Sequence, residues 1–304
     1  MNSWIIINDE RRVGGMLHTA KKISDQVVAA VVGSRALADR VAKLGFDHVL
    51  CFDTAEGFPA EAYAAQVAAA AETAQPSLVL SSNAPACRVL LGVVAAQLKA
   101  AMIGDVRNLD TDGEHIVVSR ATADGKVLED IEVQGNLAVI YDGDDVEVAI
   151  TEPVQVELVQ VDDPDTKLKL VETTESKDSA GLQMASRVIG VGVGLTSKDD
   201  LKLIEELAEA MQAETACTLS LCDDMRWFSS HCVVGSSHTQ IAPDLYLAVG
   251  ISGQPHHVSG IRDAKVVVAI NNDPEARIFN NCDYGILGDL YKVVPALTSA
   301  FKNI

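Results

Sequence analysis

The chain has 304 residues, 48% hydrophobic and 22% charged, which suits sizeable globular cores and makes two domains the natural expectation. Its formal net charge of −19 repels phosphate backbones and no Lys/Arg run offsets it, so nucleic acid is not an expected partner. Aromatics make up only 4%, too few for a base- or sugar-stacking surface. No apolar span reaches the roughly eighteen residues of a transmembrane helix, so no membrane insertion is expected. The opening MNSWIIINDERR turns acidic after a short apolar run and is no signal peptide, which points to a cytoplasmic protein. Cys51, Cys87, Cys217, Cys222, Cys232 and Cys282 form no C-x-x-C pair. Reduced, mostly buried thiols are expected, with no metal site.

Short apolar runs at Trp4–Ile7, Val27–Val32, His48–Phe52 and Leu78–Leu80 read as buried strands. Helical patterns follow at Ala60–Ala74, rich in alanine, and at Cys87–Ala100, with Leu90, Leu91, Val94 and Leu98 at helical spacing. Alternating elements with continuous apolar strands predict a parallel sheet covered on both faces. After Gly104 the pattern becomes β-rich. Residues 115–133 read as a hairpin turning at Ala123-Asp124-Gly125, and Asn136–Asp142, Val146–Ile150 and Val154–Val161 extend this part.

Residues 162–181 are polar and lack apolar periodicity, as an interdomain connection does. The predicted organisation is an N-terminal domain over residues 1–165, a linker over 166–181 and a second domain over 182–304. The second domain opens with a strand at Arg187–Val191, a Gly-Val-Gly turn, and Ser197 with Asp200 in capping-box spacing. Leu201, Ile204, Ala208 and Met211 then mark one buried helix face.

The richest stretch runs from Pro243 to Leu290. A strand at Leu245–Gly250 ends in Gly-Ile-Ser-Gly, a short helix carries Pro255 near its start, and a second strand, Lys265–Ile270, stops at Asn271-Asn272-Asp273-Pro274. This βαβ outline offers free N–H groups to a phosphate, although a tight packing turn wants glycines there too.

As whole strings, PDLYLAVGISGQPHH, VVAINNDPEARIF, DYGILGDL and KVVPALT resemble the electron-transfer flavoprotein alpha subunit family, nearly without a gap over the last seventy or so residues. The resemblance implies an α/β protein whose N-terminal parallel-sheet α/β domain, with a β-rich extension, contacts a beta-type partner subunit. A C-terminal Rossmann-like α/β domain would bind FAD. It also implies electron carriage to or from an acyl-CoA dehydrogenase/reductase-type flavoenzyme, with no catalytic residue acting on a substrate.

By that resemblance Ser237, in the loop Val234-Gly235-Ser236-Ser237, stands beside the reactive nitrogen of the flavin. His257 stands near the pyrimidine side, where a protonated or donating imidazole stabilises negative charge on the reduced ring. Ser252, Gly253, Gln254, Pro255 and His256 wrap the cofactor. Asn271 lies near the adenosine half, and Asp289 and Leu290 close over it. Read from chemistry alone, the serine loop is a surface turn, His257 a structural histidine and Asp289 a helix cap.

Two positions depart from the family pattern. Val193 replaces the arginine of a Gly-Arg-Gly turn, and Leu219 replaces a second arginine after Thr218, which itself replaces a serine. Arg226, His231 or His238 compensates, the flavin runs at a lower potential, or the site holds flavin weakly or another nucleotide. Two other classes compete with the carrier: a structural subunit holding AMP or nothing, and an NAD-dependent oxidoreductase, which needs an acid about twenty residues past the glycine turn.

Overall fold

The computed structural model describes residues 1–302 apart from 56, 112–114, 124, 126, 163, 165–167, 169 and 173–178. It divides into two compact units, Met1–Thr173 and Thr174–Ile304.

The first unit contains, in chain order, β1 (Asn2–Ile7), α1 (Val13–Ile23), β2 (Gln26–Gly33), α2 (Arg35–Val41), β3 (His48–Asp53), α3 (Ala64–Ala74), β4 (Leu78–Ser82), α4 (Pro85–Leu98), β5 (Ala101–Thr111), β6 (Ile116–Thr122), β7 (Val127–Val133), β8 (Leu137–Tyr141) and β9 (Val156–Val159). They build one nine-stranded sheet of order β7-β6-β5-β8-β4-β1-β2-β3-β9. The strands from β5 to β9 in that order are mutually parallel, whereas the pairs β5–β6 and β6–β7 are antiparallel. Period-two alternation separates two cores. Ile5 and Ile7 face α1 and α2, and Trp4 and Ile6 face α3 and α4.

Three local expectations change. The helix expected from Ala60 begins as a 3-10 turn, Ala60–Tyr63, before α3. Asn136–Asp142 does form a strand, but β8 sits inside the parallel sheet between β4 and β5, not in the extension. Val146–Ile150 is not a strand. Its backbone runs over the first turn of α1, where Gly14 and Gly15 permit close approach to Val146 and Asp144. Just before it, Gly15 N–H donates to Asp145 Oδ1 at 3.0 Å, which ties the approach to this segment to a helix start.

The second unit contains α5 (Ser179–Met184), β10 (Arg187–Val191), α6 (Leu201–Met211), β11 (Glu214–Cys217), α7 (Leu219–Asp223), β12 (Leu245–Val249), α8 (Pro255–Ser259), β13 (Val267–Asn271), β14 (Tyr284–Leu287) and α9 (Leu290–Phe301). Its sheet is wholly parallel, in the order β11-β10-β12-β13-β14. The capping box forms as expected. Ser197 N–H donates to Asp200 Oδ2 at 3.1 Å, at a 3-10 turn that feeds α6. Ile204, Ala208 and Met211 are buried on the face that sequence spacing marks.

Candidate functional site

β10 lies between β11 and β12, so the chain leaves β10 toward one side and later crosses to the other. At such a switch point the loops beyond the strand ends diverge and a crevice opens at the carboxyl edge. A cavity of about 450 Å³ lies there, within the roughly 300–1,000 Å³ of small-molecule sites. Gly192 and Val193 line it after β10, and Thr218, Leu219 and Ser220 after β11. Ile251 and Ser252 line it after β12, with Gln254, His256 and His257 at α8 and the loop 233–238 completing the wall.

Close backbone approach shapes this crevice. Gly194 N–H donates to Gly250 O at 3.0 Å, and Gly250 has φ 63°. A Cβ on Gly250 would lie 2.8 Å from Gly194 Cα. Gly253, at φ 83°, presses on the Ile278 backbone, where a Cβ would collide. Both packing and an open cradle therefore require these glycines.

The two adjacent histidines part company. His257 is 6% exposed. Its Nδ1 lies 3.1 Å from Val234 O, which can only accept, so Nδ1 carries the hydrogen. Its Nε2, 2.8 Å from Tyr246 Oη, then accepts from that hydroxyl. Burial lowers the His257 pKa to about 4 and pushes the Tyr246 hydroxyl up, so both are neutral near pH 7. His256 is exposed. Its carbonyl accepts from Ser236 N–H at 2.8 Å, and its Nδ1 is 3.2 Å from Ser236 Oγ.

Among the described residues no Asp, Glu, Lys or Arg lines the cavity. Val193 and Leu219 stand at its wall 49% and 46% exposed. Of the three residues that could replace the missing arginines, only His238 is in the lining; Arg226 and His231 are not. Thr218 Oγ1 is buried and has no hydrogen-bond partner among the described residues, and it does not cap α7 although Thr218 holds the cap position. An orphaned hydroxyl in a cavity wall is what a polar ligand completes.

Of the sequence-predicted positions, Val234, Gly235, Ser236, Ser237, Ser252, Gln254, His256 and His257 converge on the cavity. Gly253 and Pro255 serve the turn and the first turn of α8. Asn271, Asp289 and Leu290 lie along the same carboxyl edge of the sheet but outside the cavity. Asn271 Nδ2 donates to Ile251 O at 2.9 Å, Asp289 Oδ1 caps α9 through Tyr291 N at 3.0 Å, and Leu290 is buried in the core. Ser220, Val233 and Ile251 were not singled out from sequence. Ser220 and Ile251 follow strand ends, a signal readable once the strands are placed.

Two family models match the chain: the electron transfer flavoprotein domain over residues 15–156 and the electron transfer flavoprotein FAD-binding domain over 181–262. The electron transfer flavoprotein subunit alpha of Syntrophomonas wolfei is 32% identical over 99% of this chain and 99% of its own length. This chain belongs to the electron transfer flavoprotein alpha subunit family. The alpha subunit of Bacillus subtilis is 29% identical, covering 92% of this chain and 88% of that protein. Protein FixB of Salmonella typhimurium is also 29% identical, over 99% and 98%. FAD is the cofactor, and the second unit holds the matching FAD-binding domain. The cavity suits it, with an unsatisfied hydroxyl at Thr218 and an uncharged, partly apolar wall for a flat ring. Among the described residues no helix is long and apolar enough to cross a membrane.

Proposed function

We propose that this chain is the alpha subunit of a heterodimeric electron transfer flavoprotein, carrying electrons to or from an acyl-CoA dehydrogenase/reductase-type flavoenzyme. The observation that supports it most is the switch-point cavity, with its orphaned Thr218 hydroxyl, inside the FAD-binding family match. Membership of an alpha-subunit family implies a beta-type partner. Residues 1–165 are assigned to contact with it, 166–181 to the connection and 182–304 to FAD.

Bound FAD supplies reversible electron uptake, and the chain positions it and sets its surroundings. Ser237, Ser252, Gln254 and Thr218 line the cavity and would offer hydroxyl and amide groups to the cofactor. Val193, Leu219 and Ile251 would supply apolar contact to it. Asn271, Asp289 and Leu290, on the same carboxyl edge of the sheet, would border the adenosine half. His257 holds the Val234 carbonyl and Tyr246 together beneath the site.

One observation favours a second reading, a structural subunit holding AMP or nothing. Among the described residues no fixed cation faces the cavity. The two readings separate in one experiment. The chain is co-produced with its beta-type partner, its absorbance recorded, and the nucleotide released by denaturation identified. About one FAD per chain supports the carrier. AMP alone, or no nucleotide, overturns it.

A further inference from the structure

The cavity wall contains three titratable side chains, His238, His256 and His257, and among the described residues no acid, lysine or arginine. His257 is closed off, since Val234 O and Tyr246 Oη occupy its two ring nitrogens. His256 is the opposite case. Ser236 holds it at both its carbonyl and Nδ1, which fixes the ring and leaves Nε2 directed away from that contact. His238 is exposed on the loop beyond Ser237. The remaining lining around His256, from the turn after β10, the start of α7, the loop 233–238 and the start of α8, is hydroxyl, amide, glycine or apolar.

Resting on the FAD reading above, we propose that His256 is the charge-compensating residue of this site. Its imidazole takes up a proton when the bound ring is reduced, in place of a fixed arginine. Two electrons come from a donor. One solvent proton forms an N–H bond on the ring and a second forms one on the His256 imidazole, so the negative charge that reduction adds to the ring meets a new positive charge. With Val193 and Leu219 in the wall, no permanent cation among the described residues lines the cavity, which leaves the charge of the reduced ring for a titratable group to meet.

The test uses the full-length chain with its beta-type partner, loaded with FAD and reduced by dithionite against indicator dyes at a series of pH values. The potential of bound relative to free FAD reads the ratio of affinities for the reduced and oxidised forms. Where free reduced FAD is itself anionic, above the pH at which it gives up its second proton, one additional proton bound on reduction makes that ratio fall as pH rises, by up to about tenfold per pH unit, up to the alkaline end of histidine titration near pH 8. His256→Gln is expected to abolish most of that excess slope while FAD remains bound. Leu219→Arg is expected to raise the ratio at high pH and flatten the profile without removing His256. A His256→Gln profile with the wild-type slope overturns the inference, as does a Leu219→Arg profile unchanged from wild type. Wild-type protein that takes up no FAD overturns the underlying functional reading instead, so the two failures are distinguishable.

Discussion

Tyr246 and His257, 2.8 Å apart through Oη and Nε2, form a buried neutral pair in which the tyrosine donates and the histidine accepts. Burial lowers the His257 pKa from 6.5 to about 4. The unfolded chain therefore binds a proton below about pH 6.5 that the folded protein refuses until about pH 4. Stability is full above the unfolded value and is lost as pH falls between the two, by about 3 kcal/mol in all. Denaturant unfolding between pH 7 and 4 should show this fall, and His257→Gln should remove most of it. An unchanged slope in the variant would contradict the assignment of this loss to the buried His257 imidazole.

Thr218→Val should have opposite effects on the free and loaded protein. Removing a buried hydroxyl without a partner should stabilise the FAD-free chain by about 1 kcal/mol. If that hydroxyl bonds the cofactor, the same change should weaken FAD binding by roughly tenfold. Thermal melts without FAD and fluorescence titration with it measure the two halves separately.

Gly253→Ala places a side chain at φ 83° and against the Ile278 backbone. The expected cost is at least about 2 kcal/mol, visible as a lower Tm and loss of bound FAD. Gly92→Ala is the control. A Cβ there meets nothing within 4 Å and the residue is inside α4, so stability should rise by up to about 1 kcal/mol.

In the first unit, Asp142 is 6% exposed and lies between Arg12, 3.2 Å from one oxygen, and Arg107, 3.4 Å from the other. Asp142→Ala removes a buried carboxylate shared by two guanidinium groups and should cost about 3 kcal/mol. Asp142→Asn, which keeps the shape and loses the charge, should cost less. Chemical denaturation of the two variants side by side gives the difference.

The elements themselves were largely legible in the sequence, because strand runs such as Val27–Val32 and helix faces such as Ile204–Ala208–Met211 depend on local periodicity. So were the glycine turn at Gly250–Gly253 and the cap at Ser197, since left-handed backbone and unsatisfied N–H groups demand particular residues. Residues 146–150 look like a strand by the same local criterion and are not one. Whether an alternating run joins a ladder depends on which backbone groups stand opposite it, here those of α1.

His256 and His257 make the same point within the site. They are neighbours with the same chemistry, and nothing in their order says which one is sealed and which faces the cavity. Residues 217–239, distant in sequence, supply the difference: Val234 closes over one imidazole and Ser236 holds the other at the wall. Sequence alone determined the family, the parallel sheets and the glycine cradle. The tertiary structure decided which side chains line the cavity and which are sealed beneath it, because burial and hydrogen-bond partners come from segments that only folding brings together.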